Sequence, residues 1–199
     1  MIRLSLAITS FAVALALAAC QNEAPSPAAD AGNGDQAASD ALPIDDVTAA
    51  PRQFAVTGGK GEPLGSVTVT EETGGLVLAL AATSMPAGTH GIHLHEKGLC
   101  DGPKFETAGS HWNPTAKSHG RDNPAGAHLG DLVNLVVAAD GSARTNFPIP
   151  GAMMASGAMM LADADGTALV VHAKADDYKT DPSGDSGDRI ACAVVAKGR

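Results

Sequence analysis

Beyond residue 50 the hydrophobic pattern is short-ranged. Brief apolar runs at 52–57, 64–71, 75–82, 88–96, 131–138, 142–148, 168–172 and 189–196 alternate with turn signals. Gly58-Gly59, Gly74-Gly75 and Asp140-Gly141 fall between runs as hairpin turns do. Eight short strands punctuated by Gly and Pro predict an all-β sandwich or barrel. Two long segments, 97–130 and 173–188, resist a strand reading. They are rich in Gly, Pro, Asp, Ser and His, and loops of that length inside a compact domain are usually functional or disordered.

The first 50 residues follow other rules. Met1-Ile2-Arg3 is a short basic start, and residues 4–19 form an apolar run broken only by Ser and Thr. That length suits a secretory signal peptide better than a membrane span, which needs about 20 residues. The run ends in Leu17-Ala18-Ala19-Cys20, which resembles a bacterial lipobox. Residues 1–19 are therefore expected to be a signal peptide and Cys20 to be lipidated. A soluble secreted protein cut after Ala19 is the plainer alternative. Two or more acyl chains would anchor the protein stably, each buried CH₂ contributing about 0.8 kcal/mol. Gln21, rather than Asp, beside that Cys points to the outer membrane of a Gram-negative envelope.

Residues 21–50 contain nine Ala, three Pro, six acidic residues and no Lys or Arg. Such a stretch cannot bury enough apolar surface to offset its ordering entropy. Cys20 and the segment to residue 50 are expected to form a lipidated, disordered acidic tether spanning roughly 30 Å. Its six acidic residues account for most of the formal net charge of −9. An acidic balance argues against nucleic acid as a partner, because phosphate neutralisation needs Lys and Arg. The domain itself is then 51–199, long enough for one sizeable core.

Cys100 and Cys192 remain once Cys20 is set aside, and a pair in an exported chain reads as one disulfide. All seven histidines lie between His90 and His172. On a strand, His93 and His95 project to one face while Ile92 and Leu94 project to the other. Two imidazoles side by side on a stiff strand make a preformed bidentate metal site. His90 has the opposite parity and reads as a structural hydrogen-bonder. His172 ends an apolar strand, and only the presence of other imidazoles makes it a ligand candidate. The long loop adds His111, His119, His128 and Asp131. Three His and one carboxylate suit zinc, whereas four imidazoles suit copper. Six His and one Asp leave two four-coordinate sites one ligand short. Either one His binds both ions or one position is open, and spacing alone does not choose.

Six blocks, in order, resemble the copper/zinc superoxide dismutases. They are residues 91–96 (GIHLHE), 109–114 (GSHWNP), 117–120 (KSHG), 128–132 (HLGDL), 169–172 (LVVH) and 187–192 (GDRIAC). The resemblance implies an eight-stranded Greek-key β-barrel with two long functional loops. It implies copper held by His93, His95, His111 and His172, and zinc held by His111, His119, His128 and Asp131, with His111 as the bridge. It further implies that Asp176 links His93 to His119, that Arg189 attracts and orients an anion, and that Cys100 pairs with Cys192. The implied catalytic pair is His111 and Arg189, and the implied substrate is superoxide. Asp177 reads as a solvated neighbour, and Lys174 and Lys179 as solvated loop lysines rather than steering groups.

Three rival readings meet obstacles in the sequence. A silent zinc-only relative would lack a copper ligand, and none is missing. A copper-buffering envelope protein would have no reason for Arg189. A cupin-type enzyme would place a Glu at 99 or 100, and neither position holds one. The reading that stands is an envelope superoxide dismutase, periplasmic and lipid-anchored, with one copper and one zinc per subunit. Monomer and homodimer remain open.

Overall fold

A computed structural model describes residues 50–199. The expectations for the signal peptide, Cys20 and the tether to residue 49 lie outside these residues. Nine strands are described: β1 (Arg52–Gly58), β2 (Pro63–Glu72), β3 (Gly75–Ala82), β4 (Gly88–His90), β5 (Ile92–His95), β6 (Leu135–Val137), β7 (Ala143–Pro150), β8 (Gly166–His172) and β9 (Arg189–Lys197). The only helical element among the described residues is a 3-10 turn at Glu106–Ala108.

Seven strands form one antiparallel sheet in the order β5-β8-β9-β1-β2-β3-β7, and β4 pairs with β6. The neighbours β3–β7, β5–β8 and β1–β9 are far apart in sequence, which is the Greek-key crossing. Alternation sets the inner face: Val67 and Val69 of β2 and Leu76, Leu78 and Leu80 of β3 are buried, with half-exposed residues between them. Strand β8 departs from that rule, because all seven of its residues are buried. Leu169 and Val171 face the main core, while Ala168 and Val170 pack outward against Phe105, Ala108 and Cys192 of a second cluster. A continuous apolar run is what a strand covered on both faces requires. Here the outer cover is the loop that follows β5.

The predicted run 88–96 is two strands, divided at Gly91. Strand β4 pairs with β6 through His90↔Leu135, whereas β5 pairs with β8 through His93↔Val170. Between them the Gly91 N–H donates to the Lys174 carbonyl at 2.7 Å, and the Gly91 carbonyl accepts from His172 at 2.8 Å. A Cβ at Gly91 would stand 2.8 Å from the Ser186 Cβ and 3.3 Å from that of Asp176. Glycine therefore lets the 173–188 loop lie directly on the strand. The predicted run 131–138 shrinks to Leu135–Val137, because residues 131–134 are taken up by the site described below.

The free edge of β5 is closed by the long loop rather than by a strand. The Leu94 N–H donates to Gly130 at 2.9 Å, Trp112 donates to Leu94 at 2.7 Å, and Glu96 donates to Ser110 at 2.9 Å. A disulfide between Cys100 and Cys192, 92 residues apart, ties the same loop to β9. In the chain-entropy model, closing a loop of that size is worth about 4–5 kcal/mol.

Filling the Gly91 contact tests this arrangement. Gly91→Val is expected to destabilise by about 1–3 kcal/mol through overpacking, measured as a lower melting midpoint. A variant that melts with the parent would show that the loop does not rest on β5.

Candidate metal centre

Strand β5 supplies the first two imidazoles, and backbone pairing delivers the next residues to it. Isolated bridges pair His93 with Asp131 and His95 with His111, so the middle of the long loop and the residue that follows it lie along the edge of β5. His172 ends β8, the partner of β5 on its other side. The ligand atoms of His93, His95, His111 and His172 all lie within 4.8 Å of one another. Opposite ligands of a single ion, each about 2.0–2.1 Å from it, stand about 4 Å apart.

Each ring is oriented by its second nitrogen. His95 Nδ1 donates to the Gly109 carbonyl at 2.9 Å, and His172 Nδ1 donates to that of Gly187 at 3.1 Å. A carbonyl fixes the proton on Nδ1 and leaves the Nε2 lone pair facing inward. His93 Nε2 meets Asp176 Oδ2 at 2.8 Å. His111 Nδ1 meets Asp131 Oδ1 at 2.9 Å. What remains unpartnered is His93 Nδ1, His95 Nε2, His111 Nε2 and His172 Nε2, together with His119 Nδ1. Buried polar atoms without partners are rare and costly, and four of these five face a common centre.

The second group converges on Asp131. Its Oδ1 lies 2.9 Å from His111 Nδ1, 3.1 Å from His119 Nδ1 and 3.1 Å from His128 Nδ1. Its Oδ2 accepts backbone N–H groups from Gly120 at 2.9 Å and His128 at 3.0 Å. His119 Nδ1 is close to Oδ1 yet makes no aligned hydrogen bond. Two ligands of one cation would approach each other in this way without pointing at each other. By distance alone His93 also falls in this group, with His111, His119 and Asp131. Its Nε2 is held by Asp176 and its Nδ1 lies in the first group, whereas His128 approaches the second group through its Nδ1, 3.1 Å from Asp131 Oδ1. His111 serves both groups, one through each ring nitrogen.

Electrostatics follow from burial and the two carboxylates. Burial, aided by neighbouring imidazoles, pushes His95 down to about 2, and burial against the pull of Asp131 and of Gly187 brings His111 to about 4 and His172 to about 3. His93 is also lowered by burial, against the pull of Asp176. These rings are neutral at pH 7, the state that binds metal. His119 goes the other way: burial opposes its charge, but Asp131 and Asp176 outweigh it and raise the ring to about 9. Asp131 and Asp176 are held well below the ordinary carboxylate range, their imidazole and amide donors overcoming burial. Two ionised carboxylates around buried imidazoles call for positive charge.

Asp176 is buried and joins the groups, its Oδ2 on His93 and its Oδ1 on His119 Nε2 at 3.0 Å. Arg189 donates to the carbonyls of Phe105 and Gly109, both at 2.7 Å. The Gly109 carbonyl thus holds both Arg189 and His95. Beside Arg189 lies an open groove of about 520 Å³, lined by Pro103, Lys104, Glu106, Gly187, Asp188 and Ile190. His90 places its ring nitrogens 2.8 Å from the His172 carbonyl and 2.9 Å from that of Pro86, a structural role. Asp177 is exposed and caps the turn at Lys179 and Thr180. Lys174 and Lys179 are exposed. Three contributors escaped the sequence reading: Asn134, Tyr178 and Arg121, which surround Asp176 and its loop and carry no short-range signal of doing so.

Residues 64–195 match the family model for copper/zinc superoxide dismutase. A Cu-Zn superoxide dismutase of Caulobacter vibrioides is 43% identical over 143 residues, covering 70% of this chain and 82% of that protein. One from Aquifex aeolicus is 40% identical over 68% of this chain and 82% of its own. A solved double mutant of a superoxide dismutase-like protein from Bacillus subtilis superposes with a TM-score of 0.70 at 40% identity, covering 72% of this chain and 96% of that one. The Cu/Zn superoxide dismutase of Brucella abortus gives 0.59 at 27% identity, over 73% and 99%. Ordered imidazoles with free lone pairs, a shared ring between two groups and this likeness along the whole domain agree: the chain belongs to the copper/zinc superoxide dismutase family.

Proposed function

We infer that the protein converts superoxide to dioxygen and hydrogen peroxide with copper on His93, His95, His111 and His172 and zinc on His111, His119, His128 and Asp131. The activity and both metals follow from the family; the copper assignment is supported by four unpartnered ring nitrogens and the zinc assignment by the approach of the His111, His119 and His128 Nδ1 atoms to Asp131 Oδ1. Their chemistry fits the metals. Four imidazole nitrogens suit copper, and three Nδ1 atoms with one carboxylate oxygen suit a closed zinc site.

When bound, copper supplies the one-electron redox couple, and zinc is redox-inert. The protein's own groups do the rest. Arg189, fixed by two carbonyls, presents a planar cation to a small anion at the mouth of the site. His95 and His172 are locked in the tautomer that leaves Nε2 free. His111 Nε2 takes up one proton between the two half-reactions and gives it to the product, solvent providing the second. Two superoxide ions and two protons thereby become one dioxygen and one hydrogen peroxide. Asp131 and Asp176 hold the rings while that proton moves.

The envelope location is part of the same proposal. Residues 1–19 act as a signal peptide, Cys20 carries the lipid, and residues 21–50 tether the domain to the outer membrane on its periplasmic side. The lipobox-like ending and the acidic, Ala-rich segment support this, as does a disulfide, which suits an oxidising compartment.

Arg189 separates catalysis from metal binding. In Arg189→Lys the rate is expected to fall modestly, and in Arg189→Glu far more, with both metals retained in each. Added salt should slow the parent, since screening confines attraction to about 8 Å near physiological ionic strength; in the Glu variant the salt effect should weaken or invert. Full activity of Arg189→Glu with the parental salt slope would remove Arg189 as the anion guide. At the second centre, Asp131→Ala should lose zinc to a chelator far faster than the parent while keeping copper, and equal retention would contradict the assignment. For the anchor, Cys20→Ser in a Gram-negative host should move the protein from the membrane fraction to the soluble fraction. An unchanged distribution would refute lipidation.

A further inference from the structure

Tyr178 is the chain's single tyrosine, and it contacts both the Asn134 segment and the loop that carries His119, each of which adjoins Asp176. Its backbone N–H donates to Asp176 Oδ1 at 2.6 Å, the same oxygen that His119 reaches. Its hydroxyl accepts the N–H of Asn134 at 2.8 Å. Asn134 in turn grips the Asp176 backbone from both sides, its Nδ2 donating to the Asp176 carbonyl at 2.9 Å and its Oδ1 accepting the Asp176 N–H at 2.8 Å. The Tyr178 carbonyl accepts from Asp122 at 3.0 Å, and the Arg121 guanidinium carbon lies 3.8 Å from the centre of the tyrosine ring. Gly120, just before that arginine, donates to Asp131. The ring is thus held between the loop that carries His119 and the segment that follows Asp131.

The backbone shows that these contacts have a purpose. Tyr178 has φ 63°, in the left-handed region, where a bulky aromatic residue is a genuine outlier. Such conformations persist only where the surroundings over-determine them. The hydroxyl bond to Asn134 and the Arg121 stack are the side-chain contacts that do so. With Tyr178 turned this way, its N–H points at Asp176 and its carbonyl lies against Gly120, where even a Cβ would come within 2.1 Å.

We propose that Tyr178 is a positioning residue for the metal centre: it holds the Asp176 carboxylate against His93 and His119, and so sets how firmly zinc is kept and how the copper ligand His93 is oriented. The proposal rests on the two-metal reading above. It does not require Tyr178 to meet substrate or metal. Partners of this outer kind fix ring orientation, and their loss typically costs 10–100-fold in affinity; an effect passed through one further residue is expected at the lower end.

The test uses the purified holoprotein with two readouts, the rate of zinc transfer to a chelator and the electron paramagnetic resonance spectrum of its oxidised copper. Tyr178→Ala is expected to release zinc roughly tenfold faster and to shift the copper spectrum. Tyr178→Phe, which keeps the ring over Arg121 but loses the hydroxyl, should fall between Ala and parent; it carries the test alone if the Ala variant does not fold. Asp176→Asn combined with Tyr178→Phe decides the route. If Tyr178 acts through Asp176, the double variant releases zinc no faster than Asp176→Asn alone, because residues in one network are not additive. Additive rates, or Tyr178 variants with parental zinc release and spectrum, would overturn the role of Tyr178. A parent that holds no zinc would instead overturn the metal assignment on which it stands.

Discussion

Among the described residues, five imidazole nitrogens are buried without a hydrogen-bond partner, and the rest of the domain is arranged to keep them so. A protein interior ordinarily pairs or hydrates such atoms. Here each ring is turned by its other nitrogen, against a backbone carbonyl for His95 and His172 and against a carboxylate for His93, His111 and His119. The lone pairs are therefore directed rather than merely exposed. A cation takes the place of the missing partners, and metal binding becomes part of the folding free energy.

The β-sheet achieves this with few residues. Strand β5 has only four, yet β8 flanks it on one side and the middle and the end of the long loop hydrogen-bond to the other. That loop needs its own attachment, because it has almost no regular structure. Phe105 and Ala108 pack on the outer face of β8, Cys100 is bonded to Cys192, and Arg189 grips the carbonyls of Phe105 and Gly109. Arg189 is thus a clasp for the loop, and the Gly109 carbonyl that it grips also accepts from His95.

Much of this could be read from the chain because its signals are local. Strict alternation in β2 and β3 and the Gly-Gly and Asp-Gly turns placed the hairpins, and the parity of His93 and His95 put both on one face. What local signals missed were exchanges between partners distant in sequence. The 88–96 run looks like one strand, and only the approach of Ser186 and Asp176 to Gly91 divides it. Residues 131–134 read as the start of a strand because Leu132 and Val133 are apolar, but Asp131 and Asn134 are drawn into the site. Tyr178 gave no warning at all. It lies 57 residues from Arg121 and 44 from Asn134, and neither periodicity nor a motif joins them. His111 shows the limit most clearly: the ligand count required a shared ring or an open position, and nothing local in the chain says that its Nδ1 meets Asp131 while its Nε2 lies among the other imidazoles.

The central claim is that one ring, His111, joins two metal sites. Diffraction from crystals of the copper- and zinc-loaded protein, recorded across both metal absorption edges with copper oxidised, tests it most directly. Zinc is expected about 2.0–2.1 Å from His111 Nδ1 and copper in bonding contact with its Nε2, with His93, His95 and His172 around copper and His119, His128 and Asp131 around zinc. A single ion, or two ions with His111 bound through only one nitrogen, would contradict it.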